Sequence, residues 1–292
     1  MISLTSPDGL TVEVDEAIGA TLTGLRGPWE GDLLAPGLPV GAALDATSPF
    51  LESGLRGWVD CFPSIAPDVL ASEHGGKTIA DHGELWFRAW EVEEESDTAA
   101  ALVCFIEDLG VRAHKRIAWD GTALRCRTVI TNSSSETVPY IWAAHALFDL
   151  WPDDVVTIPG STPETFRFGQ FPGAAPLHEF WPANAEGSRR WRDLPAAAVA
   201  KYFLAWPPQG VRFTAHGQGV RLMWADRPPL AQLGLWVNRG AFPVGSDAVS
   251  HLGIEPGLGW PDDVSTAVRQ GSAAQLRPGE TVVLDIICEI EA

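Results

Sequence analysis

The chain has 292 residues, of which 46% are hydrophobic and 20% are charged, and its formal net charge at pH 7 is −18. This composition supports a packed core and argues against disorder, and the acidic charge disfavours nucleic acid as a partner because phosphate groups are repelled. No apolar run is long enough to span a bilayer, and the N-terminal segment lacks the basic and apolar regions of a signal peptide. We therefore expect a cytoplasmic protein that binds neither membrane nor nucleic acid and folds as one domain over residues 1–292.

Helices are expected to be rare, because 29 glycines and 23 prolines interrupt the chain. The first strand-like segments are ELWFRAWEVEEES (84–96) and AAALVCFIEDL (99–109). VRAHKRIAWDGTALRCRTVITNSS (111–134) predicts a hairpin around Asp120-Gly121, a favoured pair for a tight turn. In its second strand the period of two puts Arg125 and Arg127 on one face. The other face holds Leu124, Cys126, Thr128 and Ile130.

The second half of the chain repeats this pattern. GVRFTAHGQGVRLMWAD (210–226) predicts another hairpin, with its turn at residues 216–219, and ETVVLDIICEIE (280–291) predicts a final strand. Irregular stretches rich in Pro, Gly and Trp cover roughly 26–82, 149–195 and 239–275, and loops of this length are usually functional. The predicted fold is all-β, one large antiparallel β-sandwich with long loops.

Several kinds of site are poorly supported. The four cysteines are far apart, and at least Cys104, Cys126 and Cys288 lie in apolar strand-like runs, which predicts buried reduced thiols. The histidines show no HxH, HxxxH or HExxH spacing, so we expect no metal, although ligands from separate loops stay open. A GxSxG hydrolase motif and a glycine-rich phosphate loop are both missing from the sequence.

Two histidines lie in segments that suggest proton transfer. His82 follows Asp81 and precedes Gly83 at the start of a strand-like run, and His145 lies in the apolar segment PYIWAAHALFDL (139–150). For His145 two interpretations stay open, a core histidine bonded to the backbone and a proton donor that faces a cavity. Surface positions are expected for most of the others, which lie in polar or turn contexts: His74, His114, His178 and His216.

Glu255 is the carboxylate with the most unusual surroundings, in the segment HLGIEPGLGW (251–260). Pro256 restricts it to an extended backbone, and Ile254 and Leu258 could form apolar walls that raise its pKa and make it a base near neutral pH. An ordinary turn glutamate is the alternative. His251, four residues earlier, is a candidate neighbour.

The order of four motifs indicates a family. LRGWVDCFPSIAP (55–67), DHGELWFRAWEV (81–92), IWAAHALF (141–148) and the pair GLWVNRGAF and LGIEP (234–256) follow one another. This arrangement resembles the aldose 1-epimerase, or galactose mutarotase-like, superfamily over roughly residues 8–290. The resemblance implies a supersandwich of large antiparallel sheets with a sugar site on a concave, loop-rimmed face.

The resemblance also implies roles for individual residues. Glu255 matches the catalytic base, His145 the general acid, His82 a histidine that contacts sugar hydroxyls, and Arg56 a substrate-contacting arginine. Galactose mutarotases have an Asp-His pair where this chain has Ala200-Lys201, so galactose is not implied as the substrate. Lys201 is instead expected to meet an acidic or phosphorylated group.

The predicted function is a cofactor-independent isomerase of carbohydrate metabolism. It would interconvert the α and β anomers of a hexose or hexose derivative, as a monomer or homodimer with a small-molecule sugar as its partner. Three tryptophans beside the motifs, Trp58, Trp86 and above all Trp236, are candidates for stacking on the sugar ring. The alternatives are a non-catalytic carbohydrate-binding protein of the same fold and an enzyme that acts on an acidic or phosphorylated sugar.

Overall fold

The structure, a computed structural model, describes residues 1–71, 76–159, 186–245 and 248–291, and the backbone of residues 166–170. It consists mainly of two nine-stranded antiparallel sheets, which confirms the predicted all-β sandwich. The described residues include one α-helix, α1 (Val264–Gln270), which begins after Asp263, whose side chain accepts a hydrogen bond from the Thr266 amide. Among the residues that the structure describes, no helix is long and apolar enough to cross a membrane.

The strands are numbered in chain order. The first sheet contains, in spatial order, β1 (Ile2–Thr5), β2 (Thr11–Asp15), β3 (Thr21–Arg26), β4 (Trp58–Cys61), β12 (Trp142–Phe148), β20 (Val249–Leu258), β19 (Ala231–Phe242), β16 (Val199–Ala205) and β14 (Phe166–Gln170). The second sheet contains β15 (Ser188–Arg190), β13 (Val155–Thr157), β17 (Val211–Ala215), β18 (Gln218–Trp224), β22 (Thr281–Glu291), β10 (Ala123–Asn132), β9 (Val111–Asp120), β8 (Ala99–Ile106) and β7 (Glu91–Glu95). Two short pairs join β5 (Asp68–Val69) to β6 (Thr78–Ile79) and β11 (Val138–Tyr140) to β21 (Ala274–Leu276).

The predicted hairpins are confirmed, with the first turn shifted by one residue. Asp120 pairs with Ala123, so the two-residue turn is Gly121-Thr122, and Gly121 has the left-handed φ of 61° that such a turn requires. In the second hairpin Ala215 pairs with Gln218. The segment 84–96 differs from the prediction, because its strand begins only at Glu91 and the aromatic part before it is a turn.

The largest difference from the sequence-based expectation concerns the stretch 239–275. Its glycines and Pro256 suggested a loop, yet Val249–Leu258 form β20, which lies between β12 and β19 near the middle of the first sheet. Pro256 is tolerated there because the ladder between β12 and β20 is interrupted between Ala143 and Ala146, where a proline can donate no hydrogen bond. Glu255 therefore lies on a central strand and not in a turn.

Side chains from both sheets form the core between them. Phe148 on β12 packs edge to face against Phe213 on β17 at a centroid distance of 4.5 Å, and Trp142 on β12 lies 5.7 Å from Trp224 on β18. All four cysteines are buried and unpaired, as expected for three of them.

One ion pair crosses this core. Lys115 on β9 lies with its Nζ 3.4 Å from Asp60 Oδ2 on β4, and both side chains are almost fully buried. The same Asp60 oxygen accepts a hydrogen bond from Thr128 Oγ1 at 2.6 Å, and Lys115 also donates to the Ala20 carbonyl at 3.3 Å. The pair therefore connects the two sheets with its hydrogen-bonding groups satisfied.

Removing one partner of this pair should destabilise the protein more than removing both. We expect Asp60→Ala to lower the free energy of unfolding by about 3–5 kcal/mol, because it leaves the Lys115 charge buried without a counter-ion. The double variant Asp60→Leu with Lys115→Met should recover most of that loss. Urea unfolding followed by tryptophan fluorescence measures both. Strictly additive losses in Asp60→Leu, Lys115→Met and their double variant would show that the two charges are not coupled.

Candidate functional site

The two-residue period of the strands divides the first sheet into two chemically different faces. On β12, Ala144, Ala146 and Phe148 join the core between the sheets, whereas Leu147 belongs to a second apolar cluster on the opposite side. His145 faces the same side as Leu147, where both line a cavity. The outward face of the sheet is therefore the one that can hold a ligand.

This cavity has a volume of about 440 Å³, within the range of roughly 300–1,000 Å³ that is usual for small-molecule sites. Strands of the first sheet supply its base, and segments around residues 49–55, 65–67 and 81–82 cover it. Its polar lining residues are Asp81, His82, His145, Lys201, His251 and Asp262. Its larger apolar ones are Phe50, Leu51, Leu55, Ile65, Leu147, Trp236 and Phe242.

Glu255 and His145 form a cross-strand pair beside the cavity, and His145 is the member of the pair that lines it. The pairs on either side of them, Ala143 with Gly257 and Ala146 with Ile254, place His145 opposite Glu255. His145 Nε2 lies 3.6 Å from Glu255 Oε1, and that oxygen accepts no hydrogen bond from the described residues. Their relative exposures are only 6% and 1%. The arrangement offers a proton acceptor and a proton donor to the same small molecule.

Two glycines leave room for the carboxylate. Gly234 lies opposite Glu255 on β19, and a Cβ atom there would come within 3.0 Å of Glu255 Oε2. A Cβ atom at Gly253 would come within 2.9 Å of Glu255 Oε1. Side chains at these positions would displace the carboxylate, so Gly253, one of the glycines that suggested a loop in the sequence, makes room for Glu255.

Lys201 on β16 is the only lysine or arginine among the described residues that line the cavity. Its Nζ donates a hydrogen bond to Glu255 Oε2 and lies 3.9 Å from Asp262 Oδ1. Burial alone would lower the pKa of Lys201, but the two carboxylates outweigh it and raise the pKa, so the group is an ammonium ion at neutral pH. Burial raises the pKa of Asp262, an effect that the Lys201 charge opposes.

His82 is held in place by its neighbours. Its backbone is left-handed, with φ of 61°, and a Cβ at the following Gly83 would lie 2.3 Å from the Phe62 carbonyl oxygen. His82 Nδ1 donates to Asp81 Oδ1 at 2.9 Å, and the other Asp81 oxygen accepts from the Phe50 amide at 2.9 Å. Burial alone would raise the pKa of Asp81. The hydrogen bond from His82 and the charge of His82 outweigh burial, so the pKa of Asp81 is lowered. The Phe50 ring stacks on His82 at a centroid distance of 3.7 Å.

The two deepest histidines are neutral at pH 7. Burial is the largest cause that holds the pKa of His145 well below its usual value, and the nearby charges of His82 and Lys201 act in the same direction. Burial also lowers the pKa of His251 to about 4. Trp236 Nε1 donates to His251 Nε2 at 2.9 Å, which places the proton of neutral His251 on Nδ1.

The structure brings together five of the six predicted site residues. His145, His82, Lys201 and Trp236 line the cavity. Glu255 does not line it itself but contacts two of these lining residues, His145 and Lys201. Arg56 does not line it; its Nη2 binds Asp15 Oδ2 at 3.0 Å.

Other candidates lie away from the cavity. Trp58 is in the core between the sheets, and Trp86 packs under Phe50 with its Nε1 bonded to the Asp81 carbonyl, so neither can stack on a ligand. Ile254 and Leu258 also belong to that core, because residues two apart on a strand share a face and Glu255 points the other way. The prediction that Ile254 and Leu258 form apolar walls around Glu255 is therefore wrong.

The remaining histidines are less uniform than expected. His114 is a partly exposed side chain beside Glu93, but the side chain of His216 is only 5% exposed and binds Asp149 Oδ2 at 2.9 Å. His74 and His178 lie outside the described residues.

Sequence reasoning missed three cavity residues, namely Asp262, Asp81 and Phe50. Asp262 precedes the helix cap Asp263, so the pair resembles an ordinary helix start, and only the fold turns Asp262 toward Lys201. Asp81 stood in a quoted motif but had no predicted role. In the described part of the chain no group of three or more His, Cys, Asp or Glu side chains is arranged to hold a metal ion.

Comparison with known proteins gives similarity at the level of structure. No protein-family model matches the chain, and no curated protein matches it in sequence. A galactose mutarotase-like protein from Lactobacillus casei ATCC 334 superimposes with a TM-score of 0.73 at 19% identity, covering 100% of both chains. A galactose mutarotase related enzyme from Lactobacillus acidophilus gives 0.70 at 14% identity, covering 99% of this chain and 97% of that one.

An aldose epimerase homologue from C. elegans is similar to the same extent, with a TM-score of 0.67 and 14% identity over 99% of this chain and 98% of that one. Identities at this level establish the fold. The chain has the galactose mutarotase-like sandwich that its motifs predicted.

Lowering the pH from about 6.5 to about 4 should destabilise the protein through His251. Its folded-state pKa of about 4 lies below the unfolded value of 6.5. Between these values the unfolded chain binds a proton that the folded chain does not. The free energy of unfolding therefore decreases as the pH is lowered, by about 3 kcal/mol in total. Urea unfolding at a series of pH values measures this loss.

His251→Gln should reduce that pH dependence, because the glutamine oxygen can accept the Trp236 hydrogen bond without titrating. The part that remains is due to His145, whose pKa burial also lowers. His114→Gln, at a partly exposed histidine of the second sheet, is the control and should keep the wild-type slope. Equal slopes for wild type and His251→Gln would contradict a neutral, buried His251.

Proposed function

We propose that the protein is an aldose 1-epimerase that interconverts the α and β anomers of a hexose or hexose derivative by acid–base catalysis, without a cofactor. The observation that supports this proposal is the Glu255–His145 pair, in which a carboxylate oxygen and an imidazole nitrogen lie 3.6 Å apart beside a cavity of about 440 Å³. The fold shared with mutarotase-like proteins agrees with it.

Mutarotation requires that the sugar ring opens and closes again on the other face of C1. Glu255 removes the proton of the C1 hydroxyl while His145 protonates the ring oxygen, which breaks the bond between C1 and that oxygen. Rotation about the C1–C2 bond and reversal of both proton transfers then give the other anomer. Each positioned proton transfer contributes typically about 10²–10⁴-fold to the rate.

The low pKa of His145 suits the acid role. An ether oxygen in a sugar ring is weakly basic, and the imidazolium form of a buried histidine is a stronger acid than that of an exposed one. The imidazolium form is less populated at neutral pH for the same reason. His145 takes up a proton from solvent before it acts as the acid, and the reversal of both transfers after rotation returns that proton to it.

The remaining cavity groups suit the recognition of a sugar. His82, whose Nδ1 is hydrogen-bonded to Asp81, leaves Nε2 for a hydrogen bond with a hydroxyl group. Trp236 offers an apolar surface in the cavity, with its nitrogen already bonded to His251. A flat apolar surface beside directed polar groups is a common way to bind the C–H face of a sugar ring.

The charges of the cavity favour a neutral sugar over an acidic or phosphorylated one. The ammonium group of Lys201 is already neutralised by Glu255 and Asp262, and Asp81 adds a further carboxylate to the lining. A bound phosphate or uronate would meet more negative than positive charge, and like-charge contacts are costly in a buried site. Lys201 is therefore poorly suited to the anion-binding role expected from its sequence position.

Glu255→Gln should keep the fold and reduce the rate of anomer exchange by about 10²–10⁴-fold, because glutamine cannot accept the proton. The measurement is NMR exchange spectroscopy with glucose, galactose, their 6-phosphates and glucuronate. We expect the acceleration of anomer exchange to be roughly tenfold or more greater for the neutral sugars than for the charged ones.

Glu280→Gln, at an exposed carboxylate in the turn before β22, is the matched control and should behave as wild type. Near-wild-type exchange in Glu255→Gln would refute the assignment of the base. Binding of a sugar without any acceleration by the wild type would favour the non-catalytic alternative.

His145→Asn should lower kcat by roughly 10²-fold or more with a smaller change in KM, because its proton is transferred only in the transition state. His82→Asn is the comparison, since a residue that binds sugar hydroxyls equally in both states should act mainly on KM. Steady-state rates by polarimetry separate the two. An effect of His145→Asn that is confined to KM would contradict its role as the acid.

A further inference from the structure

Lys201 is the feature of the cavity that the proposed reaction does not use. It is 3% exposed and lies on β16, paired in the sheet with Trp236 on β19. A buried lysine loses hydration and side-chain freedom, so its presence requires a compensating interaction. Here that interaction is with the base of the proposed reaction and not with open cavity space, because its Nζ donates to Glu255 Oε2.

The groups that face Glu255 come from every strand around it, and few of them are charged at neutral pH. Burial lowers the pKa of His145 and His251 and raises that of the Cys61 thiol, so these three are neutral. Lys201 and Asp262 remain as the charged neighbours. Glu255 itself is 1% exposed, and a carboxylate this deeply buried without a cation would take up a proton and lose its function as a base.

The contact with Lys201 also sets the direction of the carboxylate. Packing alone leaves the group room, since glycines flank it at positions 234 and 253. Lys201 engages Oε2, and the other oxygen, Oε1, is left 3.6 Å from His145 Nε2 without a hydrogen bond from the described residues. The oxygen that faces the acid is thus the one free to accept a proton.

Asp262 limits the movement of the ammonium group. Its Oδ1 lies 3.9 Å from Lys201 Nζ. The backbone of Asp262 is fixed, because its carbonyl accepts from the amides of Ile65 and Ala66 at 2.9 and 2.8 Å. One cation shared by two buried carboxylates is held more firmly than by either alone.

We propose that Lys201 is a positioning residue: its ammonium group keeps Glu255 ionised and turned with Oε1 toward His145, and Asp262 holds the ammonium group there. The inference rests on the proposed function, since it assigns Lys201 a part in the action of the base. It replaces contact with a negatively charged substrate as the reason for a lysine at this position.

The first test compares Lys201→Met, which keeps the length of the side chain, with Lys201→Arg, which keeps the charge. In Lys201→Met the acidic limb of the kcat profile should move up by about one to three pH units, because the base has lost its opposite charge. The value of kcat at neutral pH should fall roughly tenfold or more with KM nearly unchanged. Lys201→Arg should keep the limb close to its wild-type position.

A second test does not depend on activity. Lys201 is one of the charges that lower the pKa of His145, so Lys201→Met should raise that pKa, measured by NMR titration of the ring nitrogens. An unchanged His145 titration would overturn the inference even if the enzyme were active. If the wild type accelerates no sugar, the proposed function fails, while a shifted His145 titration would still establish the electrostatic coupling.

Asp262→Asn is the variant to use if Lys201→Met does not fold, because it keeps the cation and removes the competing carboxylate. Glu255 then has Lys201 to itself, so the acidic limb should move to lower pH. A limb that stays or moves to higher pH would contradict the shared-cation arrangement. A change in KM alone in Lys201→Met would make Lys201 a substrate contact and also overturn the inference.

Discussion

Strict alternation of side chains along the central strands of the first sheet is the constraint on which the rest of the molecule depends. Because β12, β20, β19 and β16 are neighbouring antiparallel strands, and the β12–β20 pair keeps one register on both sides of its interruption, every second residue of each strand faces the same side around the site. Apolar residues on one side form the core with the second sheet, and Lys201, Trp236, His145 and Glu255 meet on the other. A slip of one residue in β16 or β20 would turn Lys201 or Glu255 into the core, and a slip in β12 or β19 would remove His145 or Trp236 from the site.

Charge balance is the second requirement, because three carboxylates, those of Asp81, Asp262 and Glu255, lie in or beside the cavity. Asp81 is compensated by a backbone amide and His82, whereas Glu255 and Asp262 share Lys201. His145 and His251 stay neutral at pH 7 chiefly because burial disfavours their charged forms. Lys201 therefore supplies the positive charge that faces Glu255 and Asp262.

Segments outside the first sheet complete the lining of the cavity. The left-handed backbone at His82 and Gly83 turns the imidazole inward, and Asp81 ties this turn to the segment that begins at Phe50. Phe50 then packs on two of the three histidines that line the cavity, with ring centroids 3.7 Å from His82 and 5.2 Å from His145. The same constraints exclude Arg56, whose neighbour Leu55 faces the cavity while Arg56 itself binds Asp15.

The sequence by itself determined the all-β class and the main hairpins, because strand periodicity and turn pairs are local properties of the chain. The candidates Glu255, His145, His82 and Trp236 came from the order of its motifs, which resembles that of a known superfamily. Only the tertiary structure decided that residues 249–258 form a central strand, since Gly253, Pro256 and Gly257 disfavour a strand by propensity and are tolerated through contacts with β12 and β19. It also decided the partners of each charge. Lys201 and Asp262 are 61 residues apart in the chain by their numbers, and a pairing over that separation depends on sheet register and loop course, which no local pattern encodes.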